Sequence, residues 1–176
     1  MSQEIFSTAD ASVYVGTYKK YNEGSLFGKW LKLSDYSDKG EFYDACRELH
    51  KDEEDPEFMF QDWEYIPDGL IGESWINENV WSLMDLDDDD AEILMHYCSA
   101  FSVDFKDYDD IEDLLKEAKE RYIGQFDSVE ELGEHFATEL GDIPEHLWNY
   151  IDFEKYGESW AEDFYEDDGY YFDPNR

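Results

Sequence analysis

The sequence predicts an α+β fold, elongated as a chain of three small domains. Short alternating runs rich in β-formers occupy the first 66 residues, and apolar residues at helical spacing follow as far as residue 140. Six Trp, fourteen Tyr and twelve Phe supply core material that acidic disordered tails lack. The predicted domains are an N-terminal α+β domain with a small antiparallel sheet and a helix (1–70), a central acidic helical domain (71–110), and a C-terminal α+β domain of helices and a short hairpin (111–176).

The first domain is predicted from three strands and a helix. Alternation of apolar and polar residues predicts strands at Ser12–Tyr18, Phe27–Leu33 and Glu57–Gln61. Asp38, with Glu41 three residues later, predicts a capped helix start. Four apolar residues then share one helical face: Phe42, Ala45, Cys46 and Leu49.

Three further helices are predicted between residues 76 and 122, each from apolar side chains at intervals of three and four. The first has the apolar face Ile76, Val80, Leu83 and Met84. The second follows the acidic run that ends at residue 90 and has the face Ala91, Leu94, Met95, Cys98 and Phe101. The third has the face Ile111, Leu114, Leu115, Ala118 and Tyr122.

The last part of the chain is predicted to form two more helices and a hairpin. Ser128 with Glu131 is a second capping box, and Gly141 is a natural helix end. Pro144 suits the first turn of a short helix that reaches residue 150. Asp167-Asp168-Gly169 predicts the turn of a hairpin between the aromatic segments 160–165 and 170–172. The apolar face of the capped helix comprises Val129, Leu132, Phe136 and Leu140.

The negative charge of the chain is large and unevenly distributed. Forty-eight acidic residues face thirteen basic ones, a net charge of -35. Residues 1–50 carry a net charge of -2, residues 51–110 carry -18 and residues 111–176 carry -15. Negative charge at this density destabilises the fold because the carboxylates repel one another. We therefore expect the charge to bind a strongly basic partner. A general solubility adaptation, as in a salt-loving organism, would spread the charge more evenly and stays an alternative.

The carboxylates can be compared, as a spaced array of negative charges, with the phosphates of duplex DNA. Duplex DNA carries about one negative charge per 1.7 Å of axis, so the chain's charge corresponds to roughly 60 Å of duplex and a dimer's to roughly 120 Å. A compact chain of this length would measure roughly 40 Å across, so matching DNA favours an elongated body. We predict that the array consists of Asp62, Glu64, Asp68, Glu73, Glu78, Asp85, Asp87, Asp88, Asp89, Asp90, Glu92, Asp104, Asp107, Asp109, Asp110, Glu112, Asp113, Glu117 and Glu120.

Metal and cofactor sites are not predicted. A calcium loop starting at Asp85 would need Gly at position 6 and Glu at position 12, where this chain has Asp90 and His96. The acidic run is therefore interpreted as a helix start, although a calcium buffer stays a third class of function. The four histidines show no metal-ligand spacing, and carboxylate pairs are too abundant to indicate a glycosidase.

Enzymatic and membrane functions are likewise not predicted. The sequence has no G-x-S-x-G, Walker A or G-x-G-x-x-G motif, so we expect neither an enzyme nor a bound cofactor. It has no apolar run near eighteen residues and no signal pattern at its start, which favours a cytoplasmic location. Cys46 and Cys98 are expected to be reduced, structural thiols.

Five segments together resemble the ArdA family of antirestriction proteins: Val13–Tyr18, Lys20–Gly24, Gly28–Trp30, Asp62–Glu64 and Ile143–Gly157. The resemblance covers roughly residues 12–160. It implies a DNA mimic that occupies the DNA-binding groove of bacterial type I restriction–modification enzymes. Such proteins block the methyltransferase core and the nuclease complex without cutting or modifying DNA, and they do not bind nucleic acid themselves. The family is elongated, three-domain and homodimeric, and is carried by conjugative elements and phages.

The resemblance also implies an antirestriction motif in the third domain, which forms the dimer in this family. Family members often continue the motif with Arg-Asp, where this chain has Glu158 and Ser159. The change adds negative charge, which mimicry tolerates, but it puts in doubt any contact that the Arg would make. An acidic module that sequesters other basic DNA-binding proteins is the alternative function. The motif residues are Pro144, Leu147, Tyr150, Ile151, Asp152, Tyr156 and Gly157.

Overall fold

The structure, a computed structural model, describes residues 10–176 and combines helices with small antiparallel sheets. The predicted α+β class is confirmed. The chain forms two compact units, and each is built from two stretches of sequence. Among the described residues, the first unit comprises 10–91 together with Asp104–Ile111, and the second comprises Glu92–Val103 together with Glu112–Arg176. The division into three domains stays a prediction.

The first unit contains a three-stranded antiparallel sheet with β1 (Ser12–Thr17) between β2 (Lys29–Lys32) and β3 (Phe58–Glu64). All three predicted strands are present. Because successive side chains of a strand point to opposite faces, alternate residues of β1 enter the core. These buried residues are Val13, Val15 and Thr17.

Two helices of this unit are capped by side chains. Helix α1 (Tyr18–Asn22) follows β1 directly, and α2 (Lys39–Leu49) begins where the sequence predicts. Asp38 Oδ1 accepts a hydrogen bond from the Glu41 amide at 2.8 Å, and Glu41 Oε2 accepts one from the Ser37 amide at 2.8 Å. These bonds satisfy amides that the helix start leaves without partners.

The remainder of the first unit begins with a short hairpin, β4 (Ile71–Gly72) and β5 (Trp75–Ile76), and continues into α3 (Asn79–Met84). The prediction that Ile76 belongs to a helix is wrong, because it pairs with Ile71 across the hairpin. A two-residue connection closes this hairpin, and helical spacing in the sequence gives no sign of it. A 3-10 helix at Phe105–Asp107 lies in the second stretch of the unit.

The second unit contains the C-terminal part of α4 (Asp88–Phe101), all but the first residue of α5 (Ile111–Arg121), and a second three-stranded sheet. The predicted helical position of Tyr122 is wrong, because it begins strand β6 (Tyr122–Gln125). This strand pairs with β8 (Tyr170–Phe172), which also pairs with β7 (Tyr165–Asp167). The predicted hairpin forms with Asp168 at a φ of 48° and Gly169 at a φ of 83°, but Asp167, predicted in the turn, is the last residue of β7. Residues 160 and 161 belong to a helix rather than to the hairpin.

Two packed helices complete the second unit. Helix α6 (Val129–Leu140) carries the predicted capping box, since Ser128 Oγ accepts from the Glu131 amide at 3.2 Å. Gly141 ends it with a φ of 63°. Leu140 is 48% exposed, so the prediction that it lies on the buried face is wrong. A 3-10 helix at Glu145–Tyr150 follows Pro144, and α7 (Phe153–Ala161) is a helix that the sequence analysis did not predict.

Aromatic rings supply much of the core in both units. In the second unit Phe136 stacks on Trp160 with ring centroids 4.2 Å apart. Cys46 and Cys98 are buried free thiols, as expected, and burial raises the pKa of each to about 12. None of the helices within residues 10–176 combines the length and the hydropathy needed to cross a membrane.

Candidate partner-binding surface

Most of the predicted acidic array is exposed. Fifteen of its nineteen side chains lie in the exposed class, so their carboxylates are accessible to a partner. They are Asp62, Glu64, Asp68, Glu73, Glu78, Asp85, Asp87, Asp88, Asp89, Asp107, Asp109, Asp110, Glu112, Asp113 and Glu120. The other four, Asp90, Glu92, Asp104 and Glu117, are half-buried.

Two of the half-buried carboxylates hold the second unit together. Glu92 Oε2 accepts a hydrogen bond of 2.6 Å from the Tyr170 hydroxyl. Burial, followed by this bond, raises the pKa of Tyr170. Glu117 Oε1 accepts from the Tyr97 hydroxyl at 3.1 Å and lies 3.3 Å from Arg121 Nη2. Both carboxylates are therefore occupied within the unit, and the sequence alone gave no sign of this.

The carboxylate of Asp104 is bound by Lys106, two residues further along the chain. Its Oδ1 accepts from the Lys106 amide at 3.0 Å, and its Oδ2 lies 3.1 Å from Lys106 Nζ. These hydrogen bonds, the backbone one first, lower the pKa of Asp104. Asp104 therefore caps the 3-10 helix that follows it.

The acidic run that ends at residue 90 leads into α4 and forms its first turn, rather than preceding the helix as predicted. Asp87 Oδ1 accepts a hydrogen bond of 2.8 Å from the Asp90 amide, as an N-terminal cap does. The carboxylates of Asp88 and Asp89 lie in the first turn, where the helix dipole favours negative charge. Within residues 10–176, no three His, Cys, Asp or Glu side chains are arranged to hold a metal ion.

The two lysines of residues 51–110 leave the charge of this region almost intact. Twenty acidic residues share the region with Lys51 and Lys106. Lys51 Nζ lies 2.6 Å from Glu48 Oε1, and Lys106 is held by Asp104. Each pair neutralises only one charge, so the region keeps a large excess of negative charge.

The side chain of Lys20 is largely buried, where it takes part in a network of ion pairs and hydrogen bonds. Its Nζ lies 2.9 Å from Asp52 Oδ1 and 3.5 Å from Glu53 Oε1, and it donates to His50 Nδ1 at 2.8 Å. His50 is fully buried, and its Nε2 donates to the Val15 carbonyl at 3.1 Å. This lysine of the family-like opening segment is therefore structural.

The second half of the predicted motif builds α7 and its packing. Asp152 caps the helix by accepting from the Lys155 amide at 3.1 Å. Tyr156 packs against the core of the second unit. Gly157 is buried and lies against the backbone of α6 at Gly133, where a side chain would not fit. These motif residues act in folding.

The first half of the motif is exposed. Leu147 is 40% exposed and Tyr150 is 84% exposed, and Pro144 beside them is also exposed, while Ile151 is half-buried. Apolar side chains of this size are normally buried, so a group of them on one short segment is typical of an interaction surface. Glu158 and Ser159 lie exposed on α7.

The sequence analysis did not predict two exposed aromatic rings that lie within residues 51–110. Tyr65 is 41% exposed and has a φ of 58°, and Trp75 is 47% exposed. A signal for Trp75 does exist in the sequence, because Gly72 and Trp75 bracket two polar residues, as the ends of a tight hairpin do.

The fold and the exposed carboxylates define an acidic α+β protein. The family model described as antirestriction protein (ArdA) matches residues 13–172, and the chain belongs to that family. The resemblance found in the sequence is thereby confirmed, and antirestriction is the function that the family implies. No individually curated protein matches the chain.

Proposed function

We propose that this protein is a DNA mimic that binds in the DNA-binding groove of type I restriction–modification enzymes and blocks modification and cleavage. It acts by occupying the groove and catalyses nothing. Its membership of the ArdA family supports an antirestriction role. The observation that carries the mechanism is the surface of residues 51–110, where twenty acidic residues face two lysines and each lysine already has a carboxylate beside it.

The binding chemistry follows from the groove's natural ligand. An enzyme groove that holds DNA is lined with Lys and Arg, which neutralise phosphates. Exposed carboxylates accept charge-assisted hydrogen bonds from the same cations. Carboxylates do not copy base edges, so inhibition is independent of the enzyme's recognition sequence. Because folded elements hold many of these carboxylates in place before binding, the inhibitor avoids the cost of bending real DNA.

The active form in this proposal is a cytoplasmic homodimer of three-domain chains. The exposed Leu147 and Tyr150 support a self-association surface in the C-terminal part of the chain. A dimer carries twice the charge of one chain, which matches a longer stretch of duplex. Carriage on a mobile genetic element would place the protein beside the enzymes that it inhibits.

Competition tests the proposal directly. Labelled duplex DNA bound to a purified type I methyltransferase core is titrated with this protein, and we expect stoichiometric displacement. The same titration against an unrelated basic DNA-binding protein, such as a nucleoid protein, should leave its DNA mostly bound. Equal displacement from both would instead favour the general sequestration of basic proteins, and displacement from neither would overturn the proposal.

A further inference from the structure

The ring of Trp75 is held in place although it is about half exposed. Trp75 lies opposite Gly72 in the β4–β5 hairpin. A Cβ atom on Gly72 would lie 2.7 Å from Cε2 and 3.0 Å from Cδ1 of the indole, so the ring rests where a side chain would be. With 47% of the residue open to solvent, part of the ring is supported by backbone and part is free to receive a partner.

The hairpin that carries this ring is fixed at several points. Ile71 and Ile76 are buried, at 6% and 1% exposure. The Glu73 carbonyl accepts a hydrogen bond of 2.7 Å from the Phe60 amide of β3. An aromatic side chain has few rotatable bonds, so a ring on such a support loses little entropy when it binds.

A carboxylate two residues before Trp75 in the sequence is held by a second contact. Glu73 stands in the two-residue connection between Gly72 and Trp75, and its Oε1 accepts from the Tyr18 hydroxyl at 2.9 Å. Glu57 also acts electrostatically on that hydroxyl: burial, Glu73 and Glu57 together raise the pKa of Tyr18. Glu73 therefore adds a carboxylate, held in place by Tyr18, to the hairpin that carries the ring.

We propose that Trp75 and Glu73 together receive an arginine side chain from the basic groove of the partner. The guanidinium stacks on the open part of the indole and pairs with the Glu73 carboxylate. Arginine suits both contacts, because its planar cation stacks on aromatic rings and forms directed bonds to carboxylates. This inference rests on the proposed function and adds to it an aromatic anchor within an array of modest ionic contacts.

Trp30 provides a matched control within the same unit. It is 40% exposed, and its ring packs edge-to-face on Tyr14 with centroids 5.7 Å apart. Its neighbours on the strand include the exposed Lys29 and Lys32, which repel an incoming cation. Loss of Trp30 therefore removes a similar exposed ring without removing a cation receptor.

The test is a titration of a purified type I methyltransferase core with the full-length protein at several salt concentrations. Trp75→Ala and Trp75→Leu should each weaken binding roughly tenfold, which lies between the sizes of an exposed and a desolvated cation–π contact. Trp75→Phe should keep part of the affinity, and Trp30→Ala should bind as the unsubstituted protein does. The salt dependence of binding should be unchanged in the Trp75 variants, since no ion pair is lost, and should decrease in Glu73→Gln.

Two results would overturn the inference while leaving the proposed function in place. One is unweakened binding by folded Trp75→Ala. The other is equal binding by Trp75→Leu and Trp75→Phe, which decides the matter even if the alanine variant does not fold. Failure of the unsubstituted protein to bind the methyltransferase would instead overturn the proposed function itself. Circular dichroism of every variant establishes that it is folded.

Discussion

Gly133 of α6 and Gly157 of α7 lie in direct backbone contact. A Cβ atom on Gly157 would lie 3.1 Å from the Gly133 amide nitrogen and would overlap the Val129 carbonyl oxygen. A Cβ atom on Gly133 would lie 2.9 Å from the Gly157 amide nitrogen. The two helices approach this closely because neither position carries a side chain, which gives the motif glycine a physical role.

Replacement of Gly157 by alanine should therefore destabilise the protein by about 2–3 kcal/mol, because a rigid backbone has to move to admit a methyl group. Thermal denaturation followed by circular dichroism measures the loss. Gly40→Ala, in the exposed first turn of α2, is the control and should change stability much less, because the added Cβ meets only a flexible side chain, 3.1 Å from Asp38 Oδ1. A Gly157→Ala protein that melts at the temperature of the unsubstituted protein would show that the helices separate at no cost.

Lys20→Met should cost about 3 kcal/mol, because it leaves the nearly buried Glu53 without its cation. The side chains of Lys20 and Glu53 are only 13% and 7% exposed. Urea denaturation measures the change, and a further Glu53→Gln substitution should recover part of it. Lys51→Met breaks a pair whose two side chains are both 73% exposed, so it should change stability by less than about 0.5 kcal/mol. Equal losses in the two lysine variants would contradict the structural role of Lys20.

Helix α5 carries both a structural carboxylate, Glu117, and an exposed carboxylate of the predicted array, Glu120. Glu117→Gln should reduce stability by about 1 kcal/mol, because it weakens the bonds to Tyr97 and Arg121. Glu120→Gln changes an exposed carboxylate and should leave stability unchanged. Denaturation and methyltransferase binding are to be measured on both variants. A larger stability loss in Glu120→Gln would show that the assignment is reversed.

The two buried thiols make the free energy of unfolding fall at alkaline pH. Burial raises the pKa of Cys46 and of Cys98 from 9.0 to about 12, so the folded chain keeps protons that the unfolded chain loses. Their contribution is complete below pH 9 and is lost as the pH rises from 9 towards 12. In a Cys46→Ala, Cys98→Ala protein, the fall of stability between pH 9 and 10 should be shallower. An identical fall in both proteins would show that the thiols do not titrate on unfolding.

The exposed end of the motif offers a test of the proposed dimer. Tyr150→Asp and Leu147→Asp should shift the protein from dimer to monomer in analytical ultracentrifugation, because a buried carboxylate without a partner opposes association. Leu140→Asp is the control, since Leu140 is 48% exposed but lies outside the motif. Retention of the dimer in both motif variants would place the interface elsewhere.

Local signals in the sequence predicted the elements that they control. Capping boxes at Asp38 and Ser128, the left-handed Gly141 and the Asp168-Gly169 turn all form as expected. Each depends on backbone groups within a few residues of the signal, so no distant contact can override it.

Elements that depend on pairing with another strand were missed. Tyr122 continues the helical spacing of α5, but pairing with Phe172 draws it into a sheet. Ile76 was assigned to a helix because its hairpin partner, Ile71, lay outside the apolar pattern. For the acidic array too, the sequence does not reveal which side chains are held by distant residues. Sequence gives the number of carboxylates, whereas only the fold reveals that Glu92 is bound by a tyrosine 78 residues away.

A graded neutralisation series tests the central claim most directly. Exposed carboxylates of residues 62–113 are replaced by their amides singly and in sets of two, four and eight, and binding to a type I methyltransferase core is measured against salt concentration. Mimicry of the DNA backbone predicts a small loss for each single change, a progressive loss for the sets, and a salt dependence that falls with every carboxylate removed. A set of eight that binds as tightly as the unsubstituted protein, with the same salt dependence, would contradict the account.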